Sequence, residues 1–508
     1  MKIAIVHHHF RRGGVTKVVT AGAAALLEFC PEVEEILLVS GEPMEGIRGM
    51  RVLHLPEIGY RADMDEASEA SETGAEAKTI AELLDRHLSG HLLWIHNYQL
   101  GKNGAFTKGV IDYARSHPDR PILLQIHDFP ECGRHGNLAE LYGAGGGNGG
   151  EIYPVLPNVR YVTINERDRR MLASCGIPGS RVVRLDNPVP QAAGPVPEPK
   201  RELVRKLLAG LLPGTAGRTD PDRPLFIYPV RTIRRKNVLE AALLSLLHEE
   251  GANLLVTLPG TSVQEREYSA LVRSLFEEGT VAGSFGAGAA LEGTSIDFET
   301  LARSCDLVLS SSVQEGFGYF FVDALRWGLP LLARNLDILS GIEPLFAGYP
   351  HHLYESLLVP LEREERDRLA LLYQQRLESL ARFLPDEERE VLGGKFHAMT
   401  REALIDFSFL DPLRQAGLLR RLKDKGLLKD IQEANSGLLS IMKELSSAKP
   451  TPPLDEIEAA FGSESFARRA WEVISGLISD MNEAGDPVHG CLLKHFATPE
   501  YLRLLYEM

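Results

Sequence analysis

Two loops in this sequence combine charge and glycine in a way that suits phosphate and sugar chemistry. The first is the run Ser310-Ser-Ser-Val-Gln-Glu315-Gly316-Phe317-Gly318-Tyr319, which follows a short aliphatic stretch and leads into an apolar, helix-like segment. Gly316 and Gly318 let the backbone approach a ligand closely. The free N–H groups of a helix starting there favour an anion or a phosphate. Glu315 falls at the carboxyl end of the preceding strand, where open α/β sheets bind ligands. Asp323 follows about two helical turns further on, so the two carboxylates could grip two sets of hydroxyls, for instance a sugar and a ribose. Without a ligand the same residues would be a glycine-rich turn with a solvated acid.

The second loop is Tyr228-Pro-Val-Arg231-Thr-Ile-Arg234-Arg235-Lys236-Asn237. Its four cations lie between a strand and a helix, and Arg forks with a Lys point charge would clamp a diphosphate. A solvated basic loop is the plainer reading. In an acidic chain, at the ligand end of a sheet, the clamp is favoured.

Three further strand ends carry polar chemistry. His7-His8-His9-Phe10-Arg11-Arg12-Gly13-Gly14 follows the first strand, with Gly13 and Gly14 placed for close backbone approach. Adjacent histidines point in different directions and cannot converge on one ion without other ligands, so a cleft-lining loop is expected and a metal is not. His127-Asp128 could orient hydroxyls or carry a proton. His96-Asn97, in the same half-sheet, makes a second stretch of cleft wall. A GxSxG elbow and a P-loop are absent, and the one GxGxxG, at Gly145, Gly147 and Gly150, has no strand directly before it.

These loops need elements to hold them. Strands are expected over residues 3–6, 36–39, 92–96 and 122–127, alternating with helices over 15–29, 79–87 and 107–116. Such alternation reads as a doubly wound, mostly parallel sheet. The acidic stretch 63–76 and the glycine run 144–150 read as loops or a solvated helix. Five prolines between 187 and 199 mark a connector. A second alternating series then begins, with strands over 225–229, 253–258, 306–310 and 330–333 and helices over 238–248, 265–277 and 320–327. Beyond about residue 354 the pattern is helical, over 361–383, 386–407, 412–425 and 428–445. The expected layout is 1–190, a linker over 191–223, 224–404, and a helical extension over 405–508. Phe407, Phe409, Leu410, Leu413, Leu418 and Leu419 make that extension too apolar for a solvated tail. It is expected to pack on the first domain or to form a homodimer contact.

Composition narrows the partners. The 508 residues include 70 acids and 55 bases, a net charge of -15. That balance argues against a nucleic-acid footprint and weakens attraction to an anionic membrane. The five cysteines are odd in number, widely spaced and free of CxxC, which fits a reduced compartment with neither a disulfide framework nor a structural zinc. The first apolar run is too short for a signal peptide, and no stretch is apolar enough to span a bilayer. A soluble cytoplasmic protein is expected.

With those residues in view, the chain resembles the retaining nucleotide-sugar glycosyltransferases of the GT-B fold, often called family four (glycosyl transferases group 1). The resemblance spans roughly residues 1–360. It rests on Gly13-Gly14 after the first strand, on Arg231 and Lys236 five positions apart, and on Glu315-Gly316-Phe317-Gly318 with Asp323 after seven intervening residues. It implies two Rossmann-like domains facing a cleft, the acceptor side at 1–190 and the donor side at 224–404. Arg231 and Lys236 would bind the donor diphosphate, Glu315 and its neighbouring amides the sugar and phosphate, Asp323 the ribose, and Gly14 would also face the donor. His127 would reach the reacting sugar; Gly13, His96, Asn97 and Asp128 would line the acceptor side. Asn187 sits where the family has an Asn before the connection between domains.

The implied reaction moves a hexose to an acceptor hydroxyl with retention and without a metal or other cofactor. The chain departs from the family pattern at Asp323 (usually Glu), at Val230 and Asn237 (usually Gly), and in the bulk of Tyr319-Phe320-Phe321. Other GT-B chemistry, such as nucleotide-sugar epimerisation, would need an acid pair on the acceptor side, and none is obvious. A non-catalytic nucleotide-sugar-binding subunit is the other alternative, which the departures keep open; donor hydrolysis would separate it from an enzyme.

Overall fold

Ile3, Ala4 and Val6 have no exposed surface, as a strand buried on both faces of a parallel sheet requires. In the computed structural model they belong to β1 (Lys2–His7), followed by β2 (Glu35–Ser40), β3 (Arg51–His54), β4 (Leu92–His96), β5 (Ile122–Ile126), β6 (Val159–Thr163) and β7 (Val182–Arg184). The order is β3-β2-β1-β4-β5-β6-β7, and every pairing is parallel. A second sheet holds β8 (Leu225–Arg231), β9 (Asn253–Leu258), β10 (Gly283–Phe285), β11 (Leu307–Ser310), β12 (Leu331–Arg334) and β13 (His351–Tyr354). Its order is β10-β9-β8-β11-β12-β13, again parallel throughout. In each sheet the strand order reverses once, between β1 and β4 and between β8 and β11. Open α/β sheets open their ligand crevice at such switch points.

The structure describes all residues except 12, 48–49, 62–69, 145–151, 190–197, 211–213, 289–290, 292–293, 295, 382, 480–484, 486–490 and 507–508. Most of the glycine run, much of the acidic stretch and parts of the proline-rich connector therefore lie outside the described residues. The chain forms two units. Unit one joins Met1–Gln191 to Glu458–Phe496, and unit two joins Ala192–Ile457 to Ala497–Met508. Residues 405–508, set apart by sequence as one helical extension, are thus shared between the units. The apolar stretch at Phe407, Leu410 and Leu419 is buried within unit two. In unit one the helix Ser463–Ser479 lies against the helix Gly14–Phe29. A Cβ on Gly22 would come within 2.9 Å of the Phe466 ring, so only glycine admits that ring.

Several expected elements differ. The helix expected over 386–407 ends at Arg401, because Leu404–Asp406 pairs instead as a short antiparallel strand with Leu358–Pro360. The helix expected over 428–445 breaks into Lys425–Ala434 and Ser436–Ser447. At the break, the Asn435 side chain accepts from Leu358 N at 2.9 Å and donates to Leu358 O at 2.8 Å, acting as a strand partner. The absence of disulfides is also corrected. Cys175, at the end of the helix Glu166–Ser174, is bonded to Cys491, which opens the helix Cys491–Phe496. The two are 316 residues apart, so no local spacing could reveal the pair. Cys30, Cys132 and Cys305 are free and buried. Among the described residues, the only metal-spaced cluster of His, Cys, Asp and Glu is Cys175, Cys491 and His495, two of which form that disulfide. Among the described residues no helix is long and apolar enough to cross a membrane.

Candidate active site

In unit two, the loops after β8 and β11 meet at the switch point. Pro229 cannot donate to a strand ladder, and the β8–β9 register shifts between Tyr228 and Arg231, which ends regular pairing. The single turn Arg234–Lys236 follows and closes on Asn237, whose φ is 46°. Asn enters the left-handed region more readily than most residues. Asn237 therefore takes a backbone conformation that glycine adopts readily. Its amide donates to Glu240 Oε2 at 2.7 Å, and its Oδ1 accepts from Gln415 at 3.1 Å.

On the β11 side, Gly318 (φ 76°) precedes the helix Tyr319–Trp327. A Cβ there would lie 2.5 Å from Phe321 Cδ2, so conformation and packing both demand glycine. Lys236 Nζ pairs with Glu315 Oε1, and Ser312 Oγ donates to the same oxygen at 2.6 Å. The Arg235 guanidinium lies 3.7 Å from Oε2. The Tyr228 hydroxyl donates to Lys236 O at 2.7 Å with Ser312 Oγ 2.8 Å away, and Ser311 Oγ donates to Asn237 O at 2.8 Å. Glu315 is only 6% exposed. Burial alone would raise its carboxyl, but Lys236 and then Arg235, with the hydrogen bonds from Lys236 and Ser312, hold it below the usual carboxylate value. Phe317 packs beside Tyr319 with ring centroids 5.0 Å apart, and Lys236 Nζ lies 5.7 Å over the Phe320 ring.

The structure thus brings Lys236 and Glu315 together and adds Arg235. Arg231 is exposed at the end of β8, and Asp323 pairs with Arg326 at 3.4 Å. Behind the Lys236 turn lies a buried ionic network that no local motif announces. Arg334 contacts Glu240 Oε1 at 2.6 Å and Asp406 at 2.8 Å, and Tyr354 donates to Glu240 at 2.7 Å. Tyr228 and Ser311 are named in their sequence runs but given no role there, although two serines directly after a strand that itself ends in serine are the available signal.

In unit one, the strand ends hold a cluster of neutral histidines. His96 Nδ1 and His127 Nε2 share a hydrogen bond at 2.8 Å. His7 Nδ1 donates to His96 O at 3.1 Å, and His8 Nδ1 donates to Ile58 O at 2.8 Å. Asn97, at φ 54°, accepts from the His127 amide at 2.8 Å and so fixes the start of the next loop. Asp128 pairs with Arg134 at 2.9 Å. Burial lowers His127 and His8 to about 4, and burial first, then neighbouring histidines, takes His7 and His96 well below 6.5. These rings are therefore neutral hydrogen-bonding groups near neutral pH. The sequence leaves His127 as either a hydroxyl orienter or a proton carrier. Gly13 precedes the helix Gly14–Phe29, and a Cβ on Gly14 would meet no atom within 4 Å, so packing alone does not require glycine there.

No protein-family model matches the chain. Sucrose-phosphate synthase from Thermosynechococcus elongatus is similar in structure with a TM-score of 0.52 at 11% identity, covering 94% of this chain and 99% of that one. The chain has the GT-B glycosyltransferase fold. This GT-B chain is also similar to mannosylglucosyl-3-phosphoglycerate synthase of Petrotoga mobilis, with 28% identity over 528 residues and 99% of each chain covered. HepE of Anabaena, solved in complex with UDP, matches with a TM-score of 0.48 at 12% identity, over 94% of this chain and 100% of that one.

Proposed function

We propose that this protein is a retaining glycosyltransferase that moves a hexose from a nucleotide diphosphate sugar to a hydroxyl of an anionic, glycosylated acceptor. The observation that carries the reading is the buried Lys236–Glu315–Ser312 contact at the β8/β11 switch point. Lys236, with Arg235 and Arg231 nearby in sequence, would meet the diphosphate as its charge develops. The positive end of the dipole of the helix Tyr319–Trp327 would add to that stabilisation. Glu315 would accept from sugar hydroxyls and Asp323 from the ribose. His127, held neutral, would hydrogen-bond the transferring sugar. Retention would follow from same-face attack assisted by the leaving phosphate. With cations in this role the reaction would need no metal.

The acceptor class draws on the Petrotoga relative, whose name places a mannosyl group on a glucosyl-3-phosphoglycerate. It also draws on the cations around Tyr60 in unit one. Lys102 Nζ lies 5.7 Å from that ring, and Arg134 and Arg11 also act on its phenol, each paired with a carboxylate, Asp128 at 2.9 Å and Glu42 at 2.6 Å. A phosphate and a carboxylate on the acceptor would have to take the place of those two carboxylates. The test is product formation from GDP-mannose or UDP-glucose with glucosyl-3-phosphoglycerate, read by mass spectrometry, with the anomeric configuration read by NMR. A phosphorylated disaccharide product with retained configuration is expected. Donor turnover only with uncharged acceptors would overturn the acceptor class, and an inverted product would overturn retention.

A further inference from the structure

The segment 497–506 returns to unit two and is held there by more than packing. Leu502, Leu504 and Leu505 are 2%, 1% and 0% exposed. Tyr501 donates to Asp337, and the Arg503 guanidinium lies 4.7 Å over the Phe409 ring with Nε donating to Ser408 Oγ at 3.0 Å. From this anchorage Tyr506 reaches both donor loops. Its carbonyl accepts from Arg234 at 2.7 Å, and its hydroxyl donates to Gln314 Oε1 at 3.0 Å. Arg234 is two residues before Lys236, and Gln314 is the residue before Glu315. One side chain with its own carbonyl therefore spans the two loops whose meeting makes the Lys236–Glu315 contact.

A second route runs from the same segment to the same turn. Ser408 Oγ, which accepts from Arg503, donates to Asp406 at 2.9 Å. Asp406 binds Arg334 at 2.8 Å, Arg334 binds Glu240 at 2.6 Å, and Glu240 accepts from Asn237 at 2.7 Å. Asn237 closes the Lys236 turn. We propose that Tyr506 and Arg503 are positioning residues of the donor site: the segment 497–506 sets the spacing of the Arg234–Lys236 turn against the Glu315 loop, and with it the affinity for a nucleoside diphosphate. This rests on the donor-site reading above.

The test compares the full chain with Tyr506→Phe, a deletion of residues 506–508, and Arg234→Ala, using UDP and GDP as probes in calorimetry and a nucleotide sugar in kinetics. The deletion removes both Tyr506 bonds. It should weaken diphosphate binding about tenfold, since a hydrogen bond to a charged group is lost, and raise the donor KM with kcat little changed. Tyr506→Phe keeps the carbonyl bond and should lose about threefold. Arg234→Ala combined with the deletion should lose less than the sum of the two, because the Arg234–Tyr506 contact is common to both, although Arg234 also pairs with Glu265 at 3.4 Å. Unchanged affinity in a folded deletion variant and in Tyr506→Phe, while Lys236→Ala still loses binding, would overturn the proposal. If the deletion variant does not fold, Tyr506→Phe decides alone. If the wild-type chain binds neither UDP nor GDP, the donor reading fails. The brace is then judged by amide exchange over residues 313–318, where faster exchange in Tyr506→Phe supports it and unchanged exchange overturns it.

Discussion

The two strand-end clusters answer burial in opposite ways. In unit two, Glu315 and Lys236 stay charged and neutralise each other, with Arg235 and Ser312 completing the shell. In unit one, His7, His8, His96 and His127 are as deeply buried; Asp128 acts on His127, but burial outweighs it and holds all four rings neutral. A pre-paired cation and carboxylate can exchange partners when a diphosphate and sugar hydroxyls arrive, with little net desolvation left to supply. Neutral imidazoles cannot neutralise a phosphate. They can direct hydroxyls only through the second nitrogen of each ring, since the first is already hydrogen-bonded within the protein. On the proposed function, charge handling would fall to unit two and hydroxyl direction to unit one.

The largest effect is expected behind the charged cluster. Arg334 is 2% exposed and faces Glu240 and Asp406. Arg334→Ala leaves two buried carboxylates unpaired and should cost about 3–5 kcal/mol of stability in denaturant titration. Because Glu240 holds Asn237, nucleotide affinity should fall with it. A smaller effect is expected in unit one. His127→Gln should lower kcat about a hundredfold, the scale of losing one directed hydrogen bond to the reacting group. Nucleoside diphosphate affinity should be unchanged, and a parallel loss of affinity would erase the division of labour between the units.

Smaller again is the acid response. An unfolded His127 takes up its proton near 6.5, whereas the folded one does so only at about 4. The folded state therefore loses stability as pH falls from 6.5 towards 4 and has the full contribution above 6.5. Glu315 is held below its ordinary value of 4.5, so its contribution is present above 4.5 and is lost only as pH falls further. Thermal melts should show His127→Gln making the first window less steep, with His7, His8 and His96 keeping their share, and Glu315→Gln making the second less steep. The smallest expected effect is none. EDTA should leave turnover intact, and a loss restored by manganese or magnesium would count against cation-based leaving-group stabilisation.

What could be read from sequence follows how local each feature is. Glu315, Gly318 and the Lys236 turn were legible because strand, loop, glycine and helix start lie within a few residues of one another. At Asn237, one of the departures from the resembled pattern, φ is 46°, a region that glycine also enters. The Glu240–Arg334–Asp406 network was invisible because its members are 94 and 72 residues apart. β3 escaped because Arg51 and His54 leave an exposed edge strand with only two aliphatic residues, and β6 because it carries a buried Arg160. That arginine donates to Val473 O at 3.0 Å, a partner 313 residues on. The His96–His127 contact was half legible: both were placed at strand ends of one half-sheet, but their pairing needed the β4–β5 register.

The most direct measurement is a calorimetric titration of UDP and GDP into the wild-type chain, Lys236→Ala and Arg231→Ala. Binding of one nucleotide by the wild type is expected, with a loss of about 1.5–3 kcal/mol in each variant, as for hydrogen bonds to charged groups. Unchanged affinity in both variants would contradict the assignment of the donor diphosphate to the β8–β11 switch point.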